Sequence, residues 1–117
     1  MEDWGYEATL LTNIATAYNR MNQREKSIFI LEHLLEELKR SKVKLSDRYV
    51  SSMTVICNLS SYYGVDGMYK ECMEMCELGI QVCLESGRGV RLSGFLGNKA
   101  EAINDEARKK QKKARMI

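Results

Sequence analysis

Cys72, Cys76 and Cys83 recur at intervals of four and seven residues, which puts three thiols on one helix face and raises metal or redox chemistry first. A zinc site draws ligands from loops, commonly with histidine, and the one histidine of the chain, His33, lies on a different stretch. Free cysteine otherwise packs as a small hydrophobe, so these thiols, with Cys57, read as core. Met53, Met68, Met73 and Met75 with Tyr62, Tyr63 and Tyr69 also sit at core spacing. Gly64-Val-Asp-Gly67 and Gly87-Arg-Gly89 lack the preceding strand of a phosphate loop and read as turns. Glu25, Glu36 and Glu37 can pair with Lys26, Lys39 and Arg40 along a charged helix face, so no carboxylates converge. No catalytic set emerges, no metal ligand or cofactor is expected, and the chain reads as a binder and not an enzyme.

Whatever it binds must be held by helices. The 117 residues include no proline, 44% are apolar, and apolar residues recur at three- and four-residue spacing, which predicts an all-α fold of about five helices. The first spans roughly 2–20, with Leu10, Leu11, Ile14, Ala15 and Tyr18 inward; the second spans roughly 24–42 and buries Ile28, Leu31, Leu34, Leu35 and Leu38. After a connector at 43–45, Ser46 is the expected N-cap of the third helix, its hydroxyl taking up a free first-turn amide. That helix presents Tyr49, Val50, Met53, Ile56, Cys57, Leu59, Ser60 and Tyr63 before Gly64 to Gly67 stops it. The fourth, roughly 68–85, buries Tyr69, Cys72, Met73, Cys76, Ile80 and Cys83; the fifth starts near Val90 and carries Leu92, Phe95, Leu96, Ala100 and Ile103.

Charge is unevenly spread. Six of the eighteen basic residues fall within 108–115, leaving twelve against all sixteen acidic ones in residues 1–107, a formal −4. We divide the chain into a helical domain, 1–107, and a basic tail, 108–117, and expect no direct nucleic-acid contact from an acidic body. No apolar run reaches membrane-spanning length and the N-terminus has no leader pattern. With clustered, unpaired-looking cysteines, this predicts a soluble cytoplasmic protein and no membrane partner.

An internal repeat carries most of the information. Residues 13–31 align without gaps on residues 58–76, an offset of 45, and Asn98 set against Asn58 opens a third, half copy with Leu96, Ala100 and Ile103 at the positions of Ile56, Ser60 and Tyr63. The matched positions look like a tetratricopeptide (TPR) repeat. Leu11 and Ile14, or Ile56 and Leu59, fill its first-helix apolar sites; Ala15 and Ser60 its small site; Tyr18 and Tyr63 the aromatic; Asn22 and Gly67 the turn; Ser27 and Cys72 the small residue opening the second helix; Leu31 and Cys76 the next core site. The resemblance implies a right-handed α-α superhelix of two and a half repeats. It departs from the family in its longer period, its missing proline, and Leu34 at a small position.

A narrower resemblance runs through Ile56-Cys-Asn-Leu-Ser-Ser-Tyr-Tyr-Gly-Val-Asp-Gly-Met-Tyr-Lys-Glu-Cys72, Gly79-Ile80, Cys83 and Leu96-Gly-Asn-Lys-Ala100. It is similar to the C-terminal sensor region of Rgg/PlcR-type transcriptional regulators of Gram-positive bacteria, which joins a helix-turn-helix to a TPR-like domain that binds a signalling peptide. No helix-turn-helix is recognisable here, so the resemblance implies a sensor fragment or a stand-alone module.

In such repeats the first helix of each pair lines a concave groove, which places Asn13, Asn58 and Asn98 at equivalent positions along it. An asparagine amide donates and accepts together and so matches a peptide bond. Thr16, Arg20, Thr54, Ser61 and Glu101 are the expected neighbours, with Thr9, Thr12, Asn19, Cys57, Gly94 and Gly97 on the same small, polar face. The expected partner is an extended peptide or protein segment. The outer faces of the first and fifth helices have no dedicated polar cap, which predicts a homo-oligomer and, as the alternative function, a self-association or scaffold module without peptide ligand.

Overall fold

The structure, a computed structural model, describes residues 4–116. It is all-α, with no strand among the described residues: α1 Trp4–Arg20, α2 Arg24–Arg40, a short 3-10 turn Leu45–Arg48, α3 Tyr49–Val65, α4 Tyr69–Ser86 and α5 Leu92–Arg115. The five expected helices are present; Glu2 and Asp3 lie outside the described residues. α5 runs without a break through the basic stretch.

Each of the first two pairs turns in the same way. Asn22 and Gly67, equivalent in the repeat, both take positive φ, 60° and 73°, the left-handed conformation that glycine and asparagine tolerate best. The Gln23 amide donates to the Tyr18 carbonyl at 2.9 Å and the equivalent Met68 amide to the Tyr63 carbonyl at 2.8 Å. Inside each pair the Ser27 hydroxyl donates to the Ala15 carbonyl, and the Cys72 thiol to the Ser60 carbonyl. The repeat is thus expressed in backbone and side-chain hydrogen bonding. Arg24 and Asp66, 2.6 Å apart, tie the two turns together.

α1 packs on α2, α3 on α4 and α4 on α5; α2 packs on α3, and α1, α3 and α5 touch in succession. The core centres on Leu31, Leu34, Leu38, Val55, Ile56, Leu59 and Cys76, and full burial of each leucine or isoleucine stabilises by about 1.5–3 kcal/mol. α5 closes tightly because Gly79 has no side chain, since a Cβ there would lie 2.5–2.7 Å from three atoms of the Phe95 ring. Lys99 and Glu77, 3.3 Å apart, and Lys109 over the Tyr69 ring hold α5 to α4 further along.

Burial corrects several expectations. Leu10 and Ile14 are exposed, and α1 buries Ala8, Thr12 and Ala15 instead. In α5, Leu96, Ala100 and Ile103 are exposed while Phe95 and Ala102 are buried. Val50 is exposed, whereas Ser52, Val55 and Tyr62 are buried. One cause covers the end helices. α3 has neighbours before and after it, but among the described residues no helix packs ahead of α1 or behind α5, so each covers only one of the two rows that α3 covers. Tyr63 is accordingly buried while its equivalent Tyr18 is half-buried. Ser46 caps nothing: it lies inside the 3-10 turn, α3 begins at Tyr49 with no side-chain cap, and the Ser52 hydroxyl holds the turn through the Leu45 carbonyl at 2.9 Å.

Candidate functional site

Contact between α3 and α5 is sparse because small residues face each other there, and two adjoining cavities open between them. One, of about 330 Å³, is lined by Gly64, Val65, Tyr69, Cys72, Glu101, Ala102 and Asp105; the other, of about 380 Å³, by Cys57, Val90, Arg91, Ser93, Gly94 and Phe95. Ser60, Ser61 and Asn98 line both, so the two form one groove along α5.

Of the residues expected in a ligand groove, Ser61, Asn98 and Glu101 are brought together here, with Cys57 and Gly94 from the same expected face. Asn98 and Ser61 are exposed at the join. Asn58 does not line either cavity; it is half-buried and its Nδ2 donates to the Thr54 carbonyl at 2.9 Å within its own helix. The Thr54 and Thr16 hydroxyls likewise donate to the carbonyls of Val50 and Thr12, at 2.8 and 2.9 Å, and can only accept from a ligand. Asn13 and Arg20 are exposed on α1, away from these cavities.

Electrostatically the groove is polarised along its length. Arg91 stands at one end, beside the first turn of α5, the positive end of that helix's dipole. Glu101 and Asp105 stand at the other end, with Arg108 3.4 Å from Asp105. The Cys57 thiol sits on the floor near Arg91; burial pushes its pKa up, and the guanidinium only partly opposes this. No family model, curated protein or solved structure matches this chain.

Arg91, Ser93, Val65, Tyr69 and Asp105 were not expected at the site. Their signal is present on α5, where Arg91, Gly94, Asn98, Glu101 and Asp105 follow one another at three- and four-residue steps, but Val65 and Tyr69 arrive only through packing.

The remaining thiols are inward. Cys72, Cys76 and Cys83 are buried and all four cysteines are free. Burial pushes Cys72 up, and Cys76 from 9.0 to about 12. Among the described residues no group of His, Cys, Asp and Glu is placed to hold a metal ion, and no helix is long and apolar enough to cross a membrane.

Proposed function

We propose that this chain is a peptide-binding module and not an enzyme, a TPR-like superhelix of two and a half repeats whose groove between α3 and α5 holds a short extended peptide. The observation that carries this is the polarity of that groove. Arg91 and the start of α5 suit a free carboxylate, Glu101 and Asp105 suit an ammonium, and Ser61 and Asn98 between them can pair with peptide groups. Arg91 and Asp105 are fourteen positions apart on or beside one helix, roughly 21 Å at 1.5 Å per residue, which matches about six residues of extended chain. Gly94 keeps the floor low: a Cβ there would meet nothing within 4 Å.

The repeated turns and the succession of α1, α3 and α5 along one side support the TPR-like reading. In it, Asn13, Asn58 and Asn98 hold equivalent positions on the three first helices, but only Asn98 lines the groove between α3 and α5; Asn13, Asn58, Thr16, Arg20 and Thr54 lie outside its two cavities, on the continuation of the same face toward α1. Asn58 keeps its Oδ1 and one N–H for a ligand after its bond to Thr54. The resemblance to Rgg/PlcR-type regulators makes the module a sensor domain that reads a signalling peptide and leaves DNA to another domain. Free, mostly buried thiols suit the reducing cytoplasm.

Calorimetry with a panel of hexapeptides having free termini tests this. Gly94→Leu should leave melting unchanged or higher, because glycine inside a helix costs ~1 kcal/mol, and should abolish binding by filling the groove. Arg91→Glu and C-terminal amidation of the peptide should each weaken binding. Hexapeptides that all fail to bind, or binding indifferent to Gly94→Leu, would sink the reading.

Leu96, Ala100 and Ile103, exposed along α5, favour a second reading, a scaffold module in which α5 pairs with α5 of another copy. Light scattering should then show a dimer that Ile103→Glu converts to monomer.

A further inference from the structure

The surface that α2 covers on the second helix pair is open on the first. Val55 and Leu59 of α3 are fully buried, and Tyr63 completes their row, its hydroxyl donating to Glu32 of α2. The same row one repeat earlier reads Leu10, Ile14 and Tyr18, with Leu10 49% and Ile14 40% exposed. Beside it a hollow of about 560 Å³ is lined by Tyr18, Glu25, Lys26, Phe29 and Ile30. Phe29 is largely exposed and stacks on His33.

Charge separates the two places. Glu32 reaches Tyr63 with Glu71 and Glu74 close by, both of the same sign as itself. The positions equivalent to Glu71 and Glu74 in the first pair are Lys26 and Phe29, and Lys26 Nζ lies 5.4 Å from the centre of the Tyr18 ring. A carboxylate entering where Glu32 would sit meets a phenol donor and the Lys26 ammonium; Glu25 is the one acidic side chain among the residues lining the hollow, against Glu71 and Glu74 in the second pair.

We propose that this α1–α2 edge docks an amphipathic helix of a partner protein, seated on Leu10 and Ile14 in the register that α2 adopts on α3, with a glutamate or aspartate on Tyr18 and Lys26. A second copy of the chain fits poorly. Its helices of the α2 kind, α2 and α4, are each packed between two neighbours. Its other open helix, α5, belongs to the α1 and α3 kind, so head-to-tail stacking would set two first helices together instead of a second helix on a first.

The α2 sequence supplies the probe. A labelled 17-residue peptide copying Arg24–Arg40, titrated with the intact protein and followed by fluorescence anisotropy, should bind saturably. Ile14→Glu or Lys26→Glu in the protein should each weaken binding by about tenfold or more, and Glu32→Gln in the peptide by about fivefold. Both protein substitutions are at exposed or half-exposed positions, and unchanged circular dichroism confirms the fold. A peptide with Glu32→Lys should recover affinity for the Lys26→Glu protein. Absence of saturable binding would overturn the proposal, as would binding indifferent to both protein variants, which would mean that the peptide displaces α2. A dimer that Ile14→Glu dissolves would give the edge to a second copy and overturn it too.

Discussion

The first helix pair, α1–α2, and the second, α3–α4, are built on aligned residues and differ in what surrounds them. Contacts within a pair repeat closely: Ala15 and Ser60 are buried alike, Leu31 and Cys76 are both fully buried, and the Ser27 and Cys72 side chains donate to equivalent carbonyls. Contacts between pairs do not repeat, as Ile14 and Leu59 show by being 40% and 0% exposed. A helix pair thus carries its own internal fit, whereas the value of its outer apolar row depends on a neighbour.

The sharpest way to break that comparison is to truncate both members of one equivalent pair. Leu59→Ala should cost ~2–5 kcal/mol of stability by leaving a cavity, and Ile14→Ala less than about 1 kcal/mol. Urea unfolding reads both, and equal losses would mean that the first pair is covered in solution.

Next in size is a pH effect confined to the second pair. Cys76 occupies the place of Leu31, and burial pushes its thiol from 9.0 to about 12, with Cys72 beside it adding less. The folded protein then keeps a proton that the unfolded chain releases, so this contribution is complete below pH 9 and is lost as pH rises toward 12. Comparing urea melts at about pH 8 and about pH 10.5, Cys76→Ala should flatten the decline seen in the parent protein. An unchanged slope would place the titrating groups elsewhere.

Smaller effects belong to the turns. Asn22 and Gly67 both hold positive φ, so Asn22→Ala and Gly67→Ala should each lower stability by about 1 kcal/mol, while Gly67→Asn, which copies the first turn, should cost less. Arg24→Ala removes the ion pair between the turns, whose side chains are 32% and 30% exposed. Its cost should be ~0.2–1 kcal/mol and should shrink in salt, as thermal melts at two ionic strengths would show.

Local chemistry was readable wherever one residue type had one use. Gly67 and Gly87 stop helices by taking positive φ, as their positions suggested. The sequence context of Ser46 is that of an N-cap, whereas a 3-10 turn held by Ser52 already occupies the approach to α3. For the candidate site, Asn98, Ser61 and Glu101 could be named from repeat register. Arg91 and Asp105 lie on the same stripe of α5 and went unnamed because the repeat alignment contributed by α5 is only half a copy.

Helix number, the two equivalent turns and the 45-residue repeat are determined by the sequence itself, since 3.6-residue periodicity and left-handed turn residues act over neighbours a few positions apart. Which of two equivalent apolar residues is covered was decided only by the tertiary structure. Leu10, Ile14 and Leu96 have the same periodicity as buried residues and are exposed because no helix lies beyond α1 or α5 in the described fold. The polarised groove is likewise a product of packing. It exists because Ser60, Ser61 and Gly64 of α3 face Gly94 and Asn98 of α5 across a gap that small side chains do not fill.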